Sequence, residues 1–357
     1  MGTDDARKPT VFVYPGGESA LDKSGIGTAR RNHVLMAGRE GWSISRSNHE
    51  PFDVLHVDSW QLGAARQVRL ATARGAAIVI SVHNTKHDFV DSLVGTRLFA
   101  PLFERWVKWL YSHGDVLLAP SEVALRRLRA MGLRNEVRQL SGGFDDEVFR
   151  VFGVSRADAF LGTRLAGQIP EHGPVILGVG NTFRRKGFLD FVATARLMPS
   201  ATFVWCGPIW SVLAGSSVSW TLATKPPNLL LTGHVNAAKL SQIMNASSVY
   251  AALSHDETEG LALLEALACG LPTVMRDLDA YQGTLRIEEV ARVTVDASPS
   301  DVAVAVSRLI QCDVPTAVRR KIGDSVVERS LSRIGPILID AYWEAVALRH
   351  HGATLSK

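Results

Sequence analysis

Twelve short strand-like runs, most of them apolar, with helical stretches between them restrict this sequence more than any other feature. Six fall at residues 10–14, 42–45, 54–57, 77–82, 116–119 and 137–140. Six more fall at 175–179, 202–205, 228–231, 248–253, 272–275 and 290–295. Short apolar runs of this length read as strands buried on both faces, and strands that alternate with helices build parallel sheets. A chain of 357 residues exceeds the size at which one core usually stops growing, so two such α/β domains are expected. Residues 151–173 carry no strand pattern and mark the boundary, which gives domains of 1–150 and 151–333.

The composition is that of a globular protein, 46% hydrophobic and 21% charged. No apolar run approaches the ~20 residues of a membrane-spanning helix, and the polar start MGTDDARKPT lacks the core of a signal peptide. A cytoplasmic location follows as the expectation. The net charge of +4 is not gathered into a basic stripe with aromatics, so nucleic acid is not an expected partner. Cys206, Cys269 and Cys312 lie far apart in apolar contexts and read as reduced core residues.

In parallel sheets, ligands gather beyond the carboxyl ends of the strands. The residues there are Gly16 and Gly17, the Ser24–Gly27 turn, Asp58 and Ser59, His83 and Asn84, and Pro120 and Ser121. The turn either lets backbone approach a ligand closely or is a plain loop with Ser24 as a helix cap. In the second half, Arg184, Arg185 and Lys186 cluster between a strand and a helix, a setting that suits a diphosphate. Residues 253–277 then place Glu257 and Glu265 eight apart, on either side of a helix start at Gly260; Gly270 and Pro272 end that helix. Its free N–H groups suit a phosphate. The first carboxylate can hold hydroxyls beside it, and the second a ribose.

Residues 97–112 read as a helix with a broad stripe of Leu98, Phe99, Leu102, Phe103, Trp106, Val107 and Leu110, and with Arg105 and Lys108 beside it. Such a helix either packs on the sheet or meets anionic lipid. The Arg126, Arg127 and Arg129 cluster could extend the same face. Arg276 and Asp277 follow a strand and could reach the cleft or form a surface pair.

The Glu-x7-Glu stretch, Glu257 to Glu265 followed by Ala266 and Gly270-Leu271-Pro272, resembles the signature of the retaining glycosyltransferases of family 4. That resemblance implies the GT-B fold, two Rossmann-like domains facing a central cleft, with a terminal helix (about 334–357) crossing back onto the first domain. It implies a UDP-sugar donor, UDP-glucose or UDP-galactose, with no cofactor and no metal. By resemblance, His83, Lys186 and Glu257 serve catalysis. Gly25, Gly27, Arg184, Arg185, Lys186, Gly233, Val235, Glu257, Thr258, Glu259, Gly260, Leu261 and Glu265 hold the donor, and His87 and Asp88 lie on the acceptor side. Two positions depart from the pattern: Gly142 stands for Asn in the turn at 141–145, and Asn181 for the Arg that shares the diphosphate with Lys186.

Lys23-Ser24-Gly25-Ile26-Gly27, the HNTKHDF stretch from His83 and Glu257-Thr258-Glu259-Gly260 look like bacterial glycolipid transferases. These move glucose or galactose to diacylglycerol or monoglycosyl-diacylglycerol, which would bring peripheral contact with an anionic membrane. A transferase for a soluble or polyprenyl-linked saccharide is the alternative. A non-catalytic nucleotide-sugar or lipid-binding module is another, weakened by Glu257, Glu265 and Lys186 together. A nicotinamide oxidoreductase would want G-x-G-x-x-G and an acidic residue ~20 positions on, which the chain lacks.

Overall fold

A computed structural model of the chain describes residues 8–16, 20–83, 96–210, 215–281, 290–312 and 314–355. The first sheet holds β1 (Thr10–Tyr14), β2 (Ser43–Ile44), β3 (Val54–Val57), β4 (Ala77–Ser81), β5 (Val116–Ala119) and β6 (Glu136–Gln139) in the order β2-β1-β3-β4-β5-β6. The second holds β7 (Val175–Val179), β8 (Thr202–Cys206), β9 (Leu229–Gly233), β10 (Val249–Ala252), β11 (Thr273–Arg276) and β12 (Val290–Val293) in the order β12-β11-β10-β7-β8-β9. Every pairing in both is parallel.

Helices on the first sheet are α1 (Gly25–Arg39), α2 (Gly63–Arg74), α3 (Thr96–Tyr111) and α4 (Glu122–Ala130); α5 (Arg156–Phe160) lies in the connection to the second. The second carries α6 (Phe188–Leu197), α7 (Ser216–Ala223), α8 (Ala237–Ala246), α9 (Leu261–Ala268), α10 (Pro299–Gln311) and α11 (Thr316–Asp324). The last helix, α12 (Leu331–Leu355), returns to the first sheet. Its Leu331, Ile334, Leu338, Ala341, Tyr342 and Ala345 are buried against Val11, Val13, Met36, Trp42, Val79 and Leu118. Each large apolar side chain so buried contributes roughly 1.5–3 kcal/mol, which ties the chain's end to its beginning.

In each sheet the chain switches sides at one strand: at β1, between β2 and β3, and at β7, between β8 and β10. Crevices at such switch points are where open parallel sheets bind ligands.

Some local expectations change. Helix α1 starts at Gly25, after a 3-10 turn at Ala20–Lys23, so Gly25 is helical and not part of a loop. Ser24 occupies the N-cap position, but its side chain makes no capping bond. Cys206 and Cys269 are buried, whereas Cys312 is exposed. Arg276 neither reaches the cleft nor forms a surface pair: it is buried, with Nε on the Leu253 carbonyl at 3.1 Å and a guanidinium nitrogen 2.9 Å from Asp190. In α3, Phe103, Val107 and Leu110 are buried while Phe99 and Leu102 are largely exposed.

Candidate active site

A cleft of about 760 Å³ lies between the two sheets, within the size range of small-molecule sites. The first domain contributes the start of α1 (Lys23, Ser24, Gly25, Ile26 and Thr28), with Arg31 and His83. The second contributes Asn181, Arg185, Lys186, His234, Val235 and the run from Glu257 to Leu261, with Glu265. The amino ends of α1 and α9 thus both lie at the cleft, each with unsatisfied N–H groups.

Gly260 makes the α9 end possible. Its φ is +84°, and a Cβ there would meet the Tyr281 hydroxyl at 2.8 Å, so a side chain would be strained and would clash.

Just before this end, Glu257 is 9% exposed and accepts from Lys186 Nζ at 2.5 Å and Ser254 Oγ at 2.7 Å. Arg185 lies 3.8 Å from its second oxygen. Burial by itself would raise the Glu257 pKa, but the Lys186 and Arg185 charges and these bonds outweigh it and hold the carboxyl below its usual value. Glu265, one turn into α9, has the opposite fate. Burial pushes it up to about 8, only partly opposed by Arg31. Two carboxyls of one motif therefore sit in contrasting states, one ionised and one carrying its proton at neutral pH.

Glu259 faces the other domain. It accepts from the Ser141 hydroxyl and, at 2.9 Å, from the Gly142 N–H. A Cβ at position 142 would lie 3.2 Å from the Glu259 carboxylate and 3.1 Å from Leu261, so glycine leaves these two side chains room to come close. Ser121 caps α4 and donates to the Thr258 carbonyl at 2.5 Å. Arg127 pairs with Asp256 at 2.7 Å and Arg126 with Asp279 at 3.2 Å, so two members of that arginine cluster bridge the domains.

Several residues named from the sequence stand elsewhere. Arg184 is exposed and turned toward Ser217 at 3.4 Å, outside the cleft lining, so Arg185 is the arginine of that cluster in the site. Gly27 packs against the Asp22 backbone, where a Cβ would come within 2.4 Å; its role is to let the turn close. Gly233 does not line the cleft either: its carbonyl accepts the Gly207 N–H at 2.9 Å, while Val235 reaches the wall. Asn181 is engaged by the Trp210 indole at 3.3 Å. Arg185 Nε is buried without a hydrogen-bond partner among the described residues. His87 and Asp88 lie outside the described residues.

Sequence reasoning does not single out Arg31, His234, Trp210 or Tyr281, all in the lining. Arg31 had a signal: it lies four residues after Gly27, on the same helical face as the turn. Behind His83 stands a further group, of which the sequence points only to Asp58. The buried Asp58 has Oδ1 2.9 Å from both His83 Nε2 and His33 Nδ1. One ligand-type atom each of His33, His56 and Asp58 lies within 4.8 Å of the others.

A family model described as glycosyl transferases group 1 matches residues 164–325, and one described as a glycosyl transferase 4-like domain matches residues 20–143. The chain belongs to the GT-B glycosyltransferases. Processive diacylglycerol alpha-glucosyltransferase from Acholeplasma laidlawii is 26% identical over 341 residues, which covers 95% of this chain and 99% of that protein. Alpha-galactosylglucosyldiacylglycerol synthase from Streptococcus pneumoniae is 30% identical over 111 residues, 30% of either chain. Among solved structures, Anabaena HepE in complex with UDP-glucose matches with a TM-score of 0.71 at 13% identity, covering 93% of this chain and 98% of that one. The last is a likeness of fold.

The matched stretches of this glycosyltransferase fall on the two sheets separately, one on β2 to β6 and one on β7 to β12. The cleft lies where they meet. No helix among the described residues is long and apolar enough to cross a membrane.

Proposed function

We propose that this glycosyltransferase moves a hexose, glucose or galactose, from its UDP conjugate to a hydroxyl of a diacylglycerol-type lipid, with retention at the anomeric carbon. The observation that carries the donor half is the ionised Glu257, paired with Lys186, at the amino end of α9 in a cleft that also holds His83. The acceptor half rests on the near full-length similarity to a diacylglycerol glucosyltransferase.

In this reading the bond from the anomeric carbon to the phosphate oxygen breaks as the bond to the acceptor oxygen forms on the same face. The acceptor proton passes to the leaving diphosphate. Negative charge grows on that diphosphate, and fixed cations and amides aimed at it supply the main stabilisation. Lys186, Arg185 and the N–H groups at the start of α9 serve here, and Arg185 Nε gains an acceptor. Glu257 takes hydrogen bonds from sugar hydroxyls and aligns the donor. Glu265, neutral near pH 7, both donates to and accepts from ribose hydroxyls without repelling the diphosphate. These groups are the chain's own, so chelators should leave the rate unchanged.

The test is product mass spectrometry. The protein is incubated with UDP-glucose or UDP-galactose against diacylglycerol, glucosyl-diacylglycerol and a soluble disaccharide in mixed micelles. Hexosylated lipid supports the reading. Hexose on the disaccharide alone discards the lipid acceptor, and UDP binding without any product overturns the catalytic reading for these donors.

A further inference from the structure

Asp58 follows β3 directly, at 2% exposure, and no lysine or arginine pairs with it among the described residues. Its Oδ1 instead collects imidazoles: His83 Nε2 at 2.9 Å, His33 Nδ1 at 2.9 Å and His56 Nε2 at 3.6 Å. The His33 contact is close but not aligned as a hydrogen bond, and Asp58 Oδ2 is buried without a hydrogen-bond partner among the described residues. A carboxylate buried without a lysine or arginine loses its hydration, and these imidazole contacts are what offsets that loss.

The group continues away from the cleft. His56, fully buried, has Nε2 2.8 Å from Ser81 Oγ and Nδ1 2.7 Å from the Tyr342 hydroxyl on α12. Burial drops the His56 pKa to about 3, so this ring is neutral and holds one proton. Burial also raises the Tyr342 phenol well above its usual value, so the hydroxyl keeps its proton. One consistent set of donors follows. Tyr342 donates to His56 Nδ1, His56 donates from Nε2 to Ser81 Oγ, and His83 donates from Nε2 to Asp58.

We infer that Asp58 is a positioning residue for hexose transfer: it fixes the ring and tautomer of His83, presenting Nδ1 as an acceptor to a sugar hydroxyl in the cleft, and Tyr342 steadies the far end through His56. This rests on the function proposed above. Asp58 does not line the cleft; it acts through His83, which does. The terminal helix thereby gains a function besides covering apolar surface, since its seating helps set where the His83 ring lies.

A double-mutant cycle separates this role from simple support of the fold. Asp58→Asn should lower kcat by roughly 10- to 100-fold, the scale on which a small misplacement near the reacting atoms acts. Calorimetric UDP affinity should stay near that of the parent, and in the His83→Ala background the same substitution should add almost nothing. Additive losses in the cycle would overturn the inference. Should Asp58→Asn not fold, Tyr342→Phe, which removes one hydroxyl, should give a smaller kcat loss that likewise vanishes in His83→Ala; additivity there overturns it too.

The tautomer can be read without turnover, by nitrogen-15 NMR of labelled histidine in the intact protein. A proton on His83 Nε2 with Nδ1 bare supports the inference, even if the lipid assay is silent and the proposed reaction fails. A proton on Nδ1, alone or together with one on Nε2, overturns it. One equivalent of tightly held transition metal, found by elemental analysis and lost on His33→Ala, would also overturn it, because the imidazole and carboxylate lone pairs would then be committed to the ion.

Discussion

Lys186 Nζ and Glu257 Oε1 lie 2.5 Å apart, a pairing set within the second domain between the segment after β7 and the segment after β10. Both strands border the switch point, so the pair joins the two lips of that domain's crevice. A cation for the diphosphate and an anion for sugar hydroxyls are thus held in one unit.

Removing Lys186 should damage both functions. Lys186→Ala is expected to lower kcat at least ~100-fold, as loss of one transition-state donor does elsewhere. It should also raise the Glu257 pKa. A carboxyl held below its ordinary 4.5 adds stability that is present above that pH and is lost as the pH falls through the lower folded-state value. The variant should therefore begin acid unfolding at higher pH than the parent. Near-parental turnover in steady-state assays would refute the assignment.

Glu265 works in the opposite sense. With a folded pKa of about 8 against an ordinary 4.5, the unfolded chain releases a proton in that window that the folded protein keeps. Stability should fall as pH rises from 4.5 toward 8 and level off beyond. Glu265→Gln should remove that slope and stabilise the protein by up to a few kcal/mol near pH 8, roughly what such a shift implies. Glu265→Ala should weaken UDP binding. Melting temperatures across pH and calorimetry with UDP check the two halves, and unchanged UDP affinity in the alanine variant removes the ribose role.

Glu259 carries the third prediction. Glu259→Ala strips the acceptor from Ser141 and from the Gly142 N–H at a buried contact between domains. A stability loss of roughly 1–3 kcal/mol is expected, with a larger radius of gyration in small-angle scattering and a raised donor KM. Parental scattering and KM would mean that the contact does not hold the domains in register.

The fourth concerns α3. Trp106 donates to the Trp60 carbonyl at 2.6 Å and packs against the core of the first domain, whereas Phe99 and Leu102 are 58% and 68% exposed. Phe99→Ser with Leu102→Ser should reduce sedimentation with anionic vesicles, and salt should weaken what remains. Trp106→Ser should chiefly lower the melting temperature. Equal vesicle binding by the double variant and the parent would leave these two residues as ordinary surface.

The strands were legible because a buried parallel strand needs a largely apolar run, which β5 and β10 display without a break and β3 and β4 with one polar residue each, His56 and Ser81. Their ends were legible to within a residue or two. Helix α3 was legible as a helix, but which part of its stripe is covered was not: period marks a face, and only the sheet beneath decides how far burial extends. Arg184 and Arg185 show the same limit. They are neighbours in sequence and equal in chemistry, and the short 3-10 turn at Arg184–Lys186 sends one outward and the other into the cleft.

What the sequence determined by itself is local: the alternation of strands and helices, the glycine start and proline stop around α9, and the eight-residue spacing of Glu257 and Glu265. These depend on backbone sterics and periodicity, which a few consecutive residues specify. The tertiary structure alone decided charge state and partnership. Glu257 is ionised and Glu265 protonated because one meets Lys186 and the other meets apolar burial. Asp58 meets His33, His56, His83 and, through His56, Tyr342, residues brought together from separate segments of the chain. Electrostatic environment is a property of distance in space, and no spacing along the chain encodes it.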